Sequence, residues 1–205
     1  DPFHEPFIAF AYLAGITKRL EFTTGVIVLP QRQTALLAKQ AADIDVFSGG
    51  RLRLGVGVGW NWVEFDALEV GNHFRRRGRR EEAQIEVMRK LWSEAVVTHH
   101  DKDHRIERAG IRPLPTRSIP IWLGGSTEPA FDRAARIADG FLFSGRSQDE
   151  AVQIKTMMEA KLFEHGRAGE PFGFEQIQLY GRGPDAWPQD IAAWRDAGGS
   201  HISVV

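Results

Sequence analysis

Gly55, Gly57 and Gly59 occupy every second position of Arg53-Leu54-Gly55-Val56-Gly57-Val58-Gly59, so a strand here is bare on one face. A bare face lets another body approach the backbone, either a packed neighbour or a flat ligand. A second glycine pair, Gly124-Gly125, ends the apolar run Pro120-Ile121-Trp122-Leu123 and leads through Ser126 and Thr127 into a helical pattern. Unpaired N–H groups at a helix start suit an anion, and the two hydroxyls add donors. Capping of the helix by Ser126 or Thr127 is the plain structural alternative, and both can hold together. Ser144-Gly145-Arg146 ends the next apolar run and is a further candidate for the same anion.

Two charged clusters invite chemistry and are read more plainly. His99-His100-Asp101-Lys102-Asp103-His104 has the look of a hairpin tip. Adjacent histidines on a strand point to opposite faces, so we assign no metal ligand there. Arg75-Arg76-Arg77-Gly78-Arg79-Arg80-Glu81-Glu82 is read as a solvated helix start with intrahelical ion pairs rather than an anion site. His4 and His201 are given no role.

The elements that must position these residues follow from periodicity. Asp1 as N-cap and Pro2 at the first helical position start a helix whose apolar residues Phe7, Phe10, Ala11 and Ala14 recur at helical spacing. Leu20 to Leu29 is a β-rich run stopped by Pro30. Thr34 caps a helix from Ala35 to Phe47, closed by Ser48-Gly49-Gly50, and the glycine strand follows. Residues 61 to 74 read as a loop and Arg75 to Glu94 as the longest helix, with Ile85, Met88, Leu91 and Trp92 on one face. Beyond a hairpin insertion near 95–119, strands are expected at 120–125, 139–145, 176–182 and 201–205. Helices are expected after Thr127, over Gln148–His165 and over Pro188–Ala197.

Six strands, nearly all separated by helices, imply a parallel sheet covered by helices. The glycine spacing is one residue short of the dinucleotide fingerprint. Functional-looking ends on several strands favour a TIM barrel over a doubly wound sheet. A complete (β/α)8 barrel has eight strands, so the expectation is a single domain over 1–205 that lacks the first two. The opening at Asp1 and the stop within Ile202-Ser203-Val204-Val205 fit a fragment.

With 26 basic and 27 acidic residues interspersed, the net charge is −1. That balance gives no sign of a nucleic-acid or membrane partner. The chain contains no cysteine, which excludes thiolate and disulfide chemistry and fits a reducing cytoplasm.

Six segments together carry a family resemblance. They are Asp1-Pro2-Phe3, Thr24-Gly25-Val26-Ile27-Val28-Leu29-Pro30, Leu37-Ala38-Lys39-Gln40, Phe47-Ser48-Gly49-Gly50-Arg51-Leu52 running on to Gly59-Trp60, Pro120 to Gly125, and Ala138-Asp139-Gly140-Phe141. In this order they resemble the bacterial-luciferase-like flavin oxidoreductases, in wording closest to the branch that uses the deazaflavin coenzyme F420. Other branches use FMN.

The resemblance implies a TIM barrel, often dimeric, that binds a flavin-like ring at the C-terminal ends of its strands. It implies a non-proline cis peptide at Gly25-Val26 that presses backbone against the ring, a plain bulge being the alternative. Gly57 and Gly59 would leave room for the ring, and Trp60 and Asn61 would line its edge. Gly124, Gly125, Ser126 and Thr127 match the cofactor-phosphate position, with Ser144 and Gly145 near the same tail. Gln31-Arg32-Gln33 is either a surface loop or a contact to substrate or tail. The implied reaction is hydride transfer between F420 and a small organic substrate. An FMN-dependent monooxygenase using molecular oxygen, a non-catalytic flavin-binding barrel and an inert fragment are the alternatives. The family's acid–base residues usually lie on the first two strands, so no catalytic residue is carried over.

Overall fold

The computed structural model describes residues 4–144, 147–178 and 183–204. The chain divides into two compact units, Asp1–Pro120 and Ile121–Val205.

The first unit opens with helix α1, Pro6–Ile16. Its N-cap is Glu5, whose carboxylate accepts from the Ile8 N–H at 3.0 Å, and Pro6 takes the first helical position. The expected start at Asp1-Pro2 lies outside the described residues. The β-rich run is not one strand but two short ones, β1 (Phe22–Thr23) and β2 (Ile27–Val28). A 3-10 turn over Leu29–Gln31 leads into α2, Thr34–Ser48. The cap of α2 is Gln33, whose side-chain oxygen accepts from the Leu36 N–H at 2.5 Å. Thr34 was the expected cap, but its hydroxyl is turned inward, 3.1 Å from the Gln84 amide nitrogen and 2.7 Å from His104 Nε2. Ala38, Ala41 and Ala42 are fully buried and keep the helix surface flat where α1 and α4 approach it.

Strand β3 is Leu52–Gly57 and pairs in parallel with β1 and β2. Leu52, Leu54 and Val56 are fully buried, and Arg53, Gly55 and Gly57 alternate with them. Residues read as loop include a short helix α3, Trp62–Ala67, and a 3-10 turn, Gly71–Arg76. Helix α4 is Arg77–Ser93, its buried face including Ile85, Met88, Leu91 and Trp92. The Trp92 indole N–H donates to the Ala38 carbonyl at 2.9 Å, which fixes α4 against α2. The hairpin is present as β4 (Val97–His100) and β5 (Arg105–Ala109), antiparallel.

The turn between α2 and β3 is held from both sides. Gly49 and Gly50 have φ of +69° and +82°, conformations that favour glycine, and the α2 carbonyls of Val46 and Asp45 accept their N–H groups. The Arg51 guanidinium donates to Ser48 O (2.6 Å), Thr17 O (3.0 Å), Thr17 Oγ1 (3.2 Å) and Leu20 O, and it lies 5.1 Å over the Phe22 ring. One side chain thus satisfies carbonyls at the ends of both α1 and α2. Fully buried Asp45 accepts from the Thr116 N–H and hydroxyl at 2.9 and 2.7 Å, with the Arg117 guanidinium 3.4 Å away.

The second unit carries β6 (Ile121–Gly124), β7 (Gly140–Ser144), β8 (Gly173–Gln178) and β9 (His201–Val204), parallel and paired in that order. Between them run α5 (Glu128–Ile137), α6 (Gln148–Glu164) and α7 (Trp187–Asp196). Helix α6 starts in a reciprocal cap between Ser147 and Glu150. Strand β8 begins three residues earlier than expected because Gly173 pairs with Gly140, which in turn pairs with Trp122. The Trp122 indole lies across both glycines: a Cβ on Gly140 would come within 2.4 Å of it, and one on Gly173 within 1.9 Å. Phe141, Phe143 and Trp194 pack elsewhere in the unit, with Phe143 and Trp194 edge to face at 5.5 Å. Among the described residues no helix is long and apolar enough to cross a membrane.

Removal of the Arg51 hub by Arg51→Ala is expected to lower the unfolding free energy by roughly 1.5–3 kcal/mol, the range for hydrogen bonds from a charged group. Arg51→Lys should recover little, since one ammonium cannot reach several carbonyls from a planar fork. Urea unfolding of the three forms checks this, and full recovery by lysine would contradict it.

Candidate active site

The break between β1 and β2 is a bulge. Thr23 lies opposite Arg53 and Ile27 opposite Val56, so Thr24, Gly25 and Val26 face only Leu54 and Gly55. The Gly25-Val26 peptide is cis, as the family resemblance implied. The buried Thr24 hydroxyl donates to the Gly55 carbonyl at 2.6 Å and pins the bulge to β3. Gly25 and Val26 are both exposed. Val26 lines a cavity of about 610 Å³, together with Val28, Gln31, Arg32, Leu36 and Glu64 among others. Gln31 donates to Glu64 at 3.2 Å, and Arg32 pairs with Glu5 at 2.8 Å, so the polar groups of this wall are held in place.

The glycines of β3 do different things. Gly57 is buried and lies opposite Val28. Gly59 has φ of +69°, and a Cβ there would meet Val28 Cγ1 at 2.6 Å and Phe65 at 3.4 Å. The space at Gly59 therefore belongs to Val28. Asn61 is the cap of α3, its side-chain oxygen accepting from the Val63 N–H at 3.2 Å and its amide donating to Glu64 at 3.1 Å. Trp60 is 84% exposed.

The basic run is only in part a solvated helix start: Arg75 and Arg79 are exposed, but Arg76, Arg77 and Arg80 turn inward. Arg77 Nε donates to the Gly59 carbonyl at 3.0 Å and its Nη1 to Phe74 O at 2.9 Å, while the guanidinium lies 4.4 Å over the Phe74 ring. Arg80 Nε donates to the Pro30 carbonyl at 3.1 Å. Arg76 and Arg80 meet the half-buried Asp103 of the hairpin turn at 2.5 and 3.6 Å. The partners lie 18 to 50 residues away, which is why the local sequence hides them. Arg77 and Thr24 shape the site although the sequence gives neither a role of its own: Arg77 reads as one charge of a run, and Thr24 only as the first residue of a family segment.

In the second unit Gly124 ends β6, and Gly125, Ser126 and Thr127 are exposed ahead of α5. A Cβ on Gly125 would sit 2.6 Å from the Ala130 Cβ, so this glycine lets α5 turn close against the strand end. Thr127 is the N-cap by position, yet its side chain makes no capping hydrogen bond. Ser144 ends the neighbouring strand β7, two residues beyond the Gly124↔Leu142 pair. Gly145 and Arg146 lie outside the described residues. The bulge with Gly57 and the Gly124–Thr127 turn with Ser144 are thus two groups, one in each unit.

The luciferase-like monooxygenase family model matches residues 1–179. An uncharacterised protein of Mycobacterium tuberculosis is 37% identical over 180 residues, covering 88% of this chain and 61% of that protein. An FMNH2-dependent dimethylsulfone monooxygenase of Pseudomonas fluorescens is 33% identical over 149 residues, 71% of this chain and 40% of the relative. The chain therefore spans about three-fifths or less of the length of these curated relatives. The coenzyme F420-dependent tetrahydromethanopterin reductase of Methanopyrus kandleri shares the fold, with a TM-score of 0.79 at 16% identity over 98% of this chain and 81% of that one.

His73 offers a pH test of the arginine cluster. Arg76 lies 2.7 Å from its Nδ1, a contact that requires the neutral ring. Burial, then the charges of Arg80 and Arg76, hold its pKa below the ordinary histidine value, with Asp103 opposing. The unfolded chain thus takes up this proton first as pH falls. The stability involved is whole above about pH 6.5 and declines below it. Urea unfolding at about pH 7.5 and 5.5 should show a loss that is smaller in His73→Asn; an equal loss in both forms would contradict this.

Proposed function

Because this chain belongs to the luciferase-like monooxygenase family, we propose that it serves an oxidoreductase that holds a flavin-type ring against the Gly25-Val26 bulge. The observation that carries this reading is the exposed Gly25-Val26 bulge beside a cavity, backed by a strand with no side chain at Gly55 and Gly57. Backbone presented in this way supports a flat ring without a side chain in between. Val26, Val28, Leu36 and Leu68 give the cavity its apolar wall, which would exclude water, and Gln31 and Arg32 bring polar groups to its edge. Trp60 and Asn61 would border the ring beyond Gly59. In the second unit Gly124, Gly125, Ser126 and Thr127, with Ser144 and Gly145, would take the cofactor's anionic tail. The Thr127 side chain, which makes no capping hydrogen bond, and the exposed start of α5 support that assignment.

The first reading is hydride transfer with coenzyme F420 and a small organic substrate, in a cytoplasmic homodimer built on one barrel domain. The Pseudomonas fluorescens relative favours a second reading, a monooxygenase that uses reduced FMN. In either case the bound cofactor supplies the electron chemistry, and the protein supplies orientation, anion binding and a dry cavity.

Titration of the protein carrying this chain with F420 and with FMN, followed by fluorescence, should show saturable binding of one of them; binding of neither would overturn the proposal. Oxygen consumption with reduced FMN would select the second reading. Ser126→Asp should weaken binding of the preferred cofactor by about tenfold or more, through repulsion of its anionic tail, with the thermal midpoint unchanged. Unchanged affinity would move the anion site elsewhere. Gly125→Asp is a poorer probe because its side chain would strike Ala130.

A further inference from the structure

We propose that His99, Asp101 and His104 form a binding site for one divalent first-row transition-metal ion of the zinc class, on the hairpin and apart from the cavity. The objection raised by the sequence applies to the adjacent pair: His99 turns to Asp101, whereas His100 faces away and pairs with the exposed Glu107 at 3.0 Å. It does not reach His104. The turn carries the chain back so that His99 Nε2 and His104 Nδ1 each lie 3.0 Å from the same oxygen, Asp101 Oδ2.

The geometry is close to that of a coordination sphere. Nitrogen and oxygen ligands at the usual zinc distances, at tetrahedral angles, sit about 3.4 Å from one another. Here the three ligand atoms all lie within 4.8 Å of one another, so small side-chain rotations close the set. Two imidazoles and a carboxylate suit zinc, iron or cobalt and leave a fourth position for water. The imidazoles are shielded, with side chains 12% and 7% exposed, and the carboxylate is 28% exposed. The Asp101 carboxylate also accepts from the backbone N–H groups of Asp103 and His104 at 2.6 Å each, which fixes it in the turn.

The outer contacts orient the rings as second partners of metal-bound histidines do. Thr34 Oγ1 lies 2.7 Å from His104 Nε2, so with an ion at Nδ1 the ring proton moves to Nε2 and the hydroxyl accepts it. Lys90 Nζ lies 3.1 Å from His99 Nδ1 and also 2.7 Å from Glu86. With an ion at Nε2 the His99 proton moves to Nδ1, and Lys90 turns fully to Glu86. The ion would tie the turn, whose Asp103 already reaches Arg76 just before α4 and Arg80 in its first turn.

The test uses the whole protein, freed of metal by dialysis against a chelator and titrated with Zn2+ by calorimetry. Co2+ serves as the spectroscopic substitute. One equivalent should bind, with visible Co2+ absorption and a raised thermal midpoint. His99→Gln and His104→Gln should each weaken binding by about tenfold or more, while His100→Gln leaves it unchanged. His99→Gln keeps the inquiry decisive should His104→Gln loosen the hairpin, because His99 does not touch Thr34. Failure to saturate at one equivalent would overturn the site, as would binding that survives His99→Gln or that falls equally in His100→Gln.

Discussion

One residue too many between Thr23 and Ile27 governs the first unit. Three residues must be accommodated opposite two, and the surplus leaves the ladder as the exposed Gly25-Val26 peptide. The Thr24 hydroxyl secures it to the Gly55 carbonyl, so the excess cannot slide along the strand. Everything after the bulge is shifted by one residue. That shift brings Val28 opposite Gly57 and against the space at Gly59, and it sets the 3-10 turn whose Pro30 carbonyl accepts from Arg80. A one-residue change of register reverses the face of every later side chain, so the bulge decides which residues line the cavity.

Much of the architecture was legible because it rests on periodicity. The alternation of apolar runs with helical patterns gave the α/β class, and the Ser48-Gly49-Gly50-Arg51 turn was visible as a helix stop. Elements set by longer-range forces were less so. Helix α3 is only six residues long, too short for a period to show. Thr34 had the right type for a cap but was claimed by Gln84 and His104, 50 and 70 residues away. Strand β8 starts where Gly173 meets Gly140, a pairing no local rule foresees.

The site divides along the same line. Motif wording pointed to Gly25-Val26, and the structure has the cis peptide there. What a glycine is for, however, depends on what fills the space it leaves. At Gly59 that is Val28, and at Gly125 it is Ala130. The arginines are the opposite case: within a run that looks like a charged surface, Arg77 and Arg80 are folded onto carbonyls and Arg76 onto Asp103. Charge alone told nothing of direction.

Trp122, Gly140 and Gly173 stand side by side on three neighbouring strands, and the indole covers both glycines. The three positions therefore form one unit of inheritance. While the tryptophan is present, neither glycine can gain a side chain without displacing it. If the tryptophan is replaced by something small, two bare backbones are uncovered at once. A Cβ on Gly140 would also come within 2.8 Å of the Gly173 carbonyl oxygen, so that position stays closed even where the tryptophan is lost, and the row should pass through lineages as a block even where the loops around it diverge.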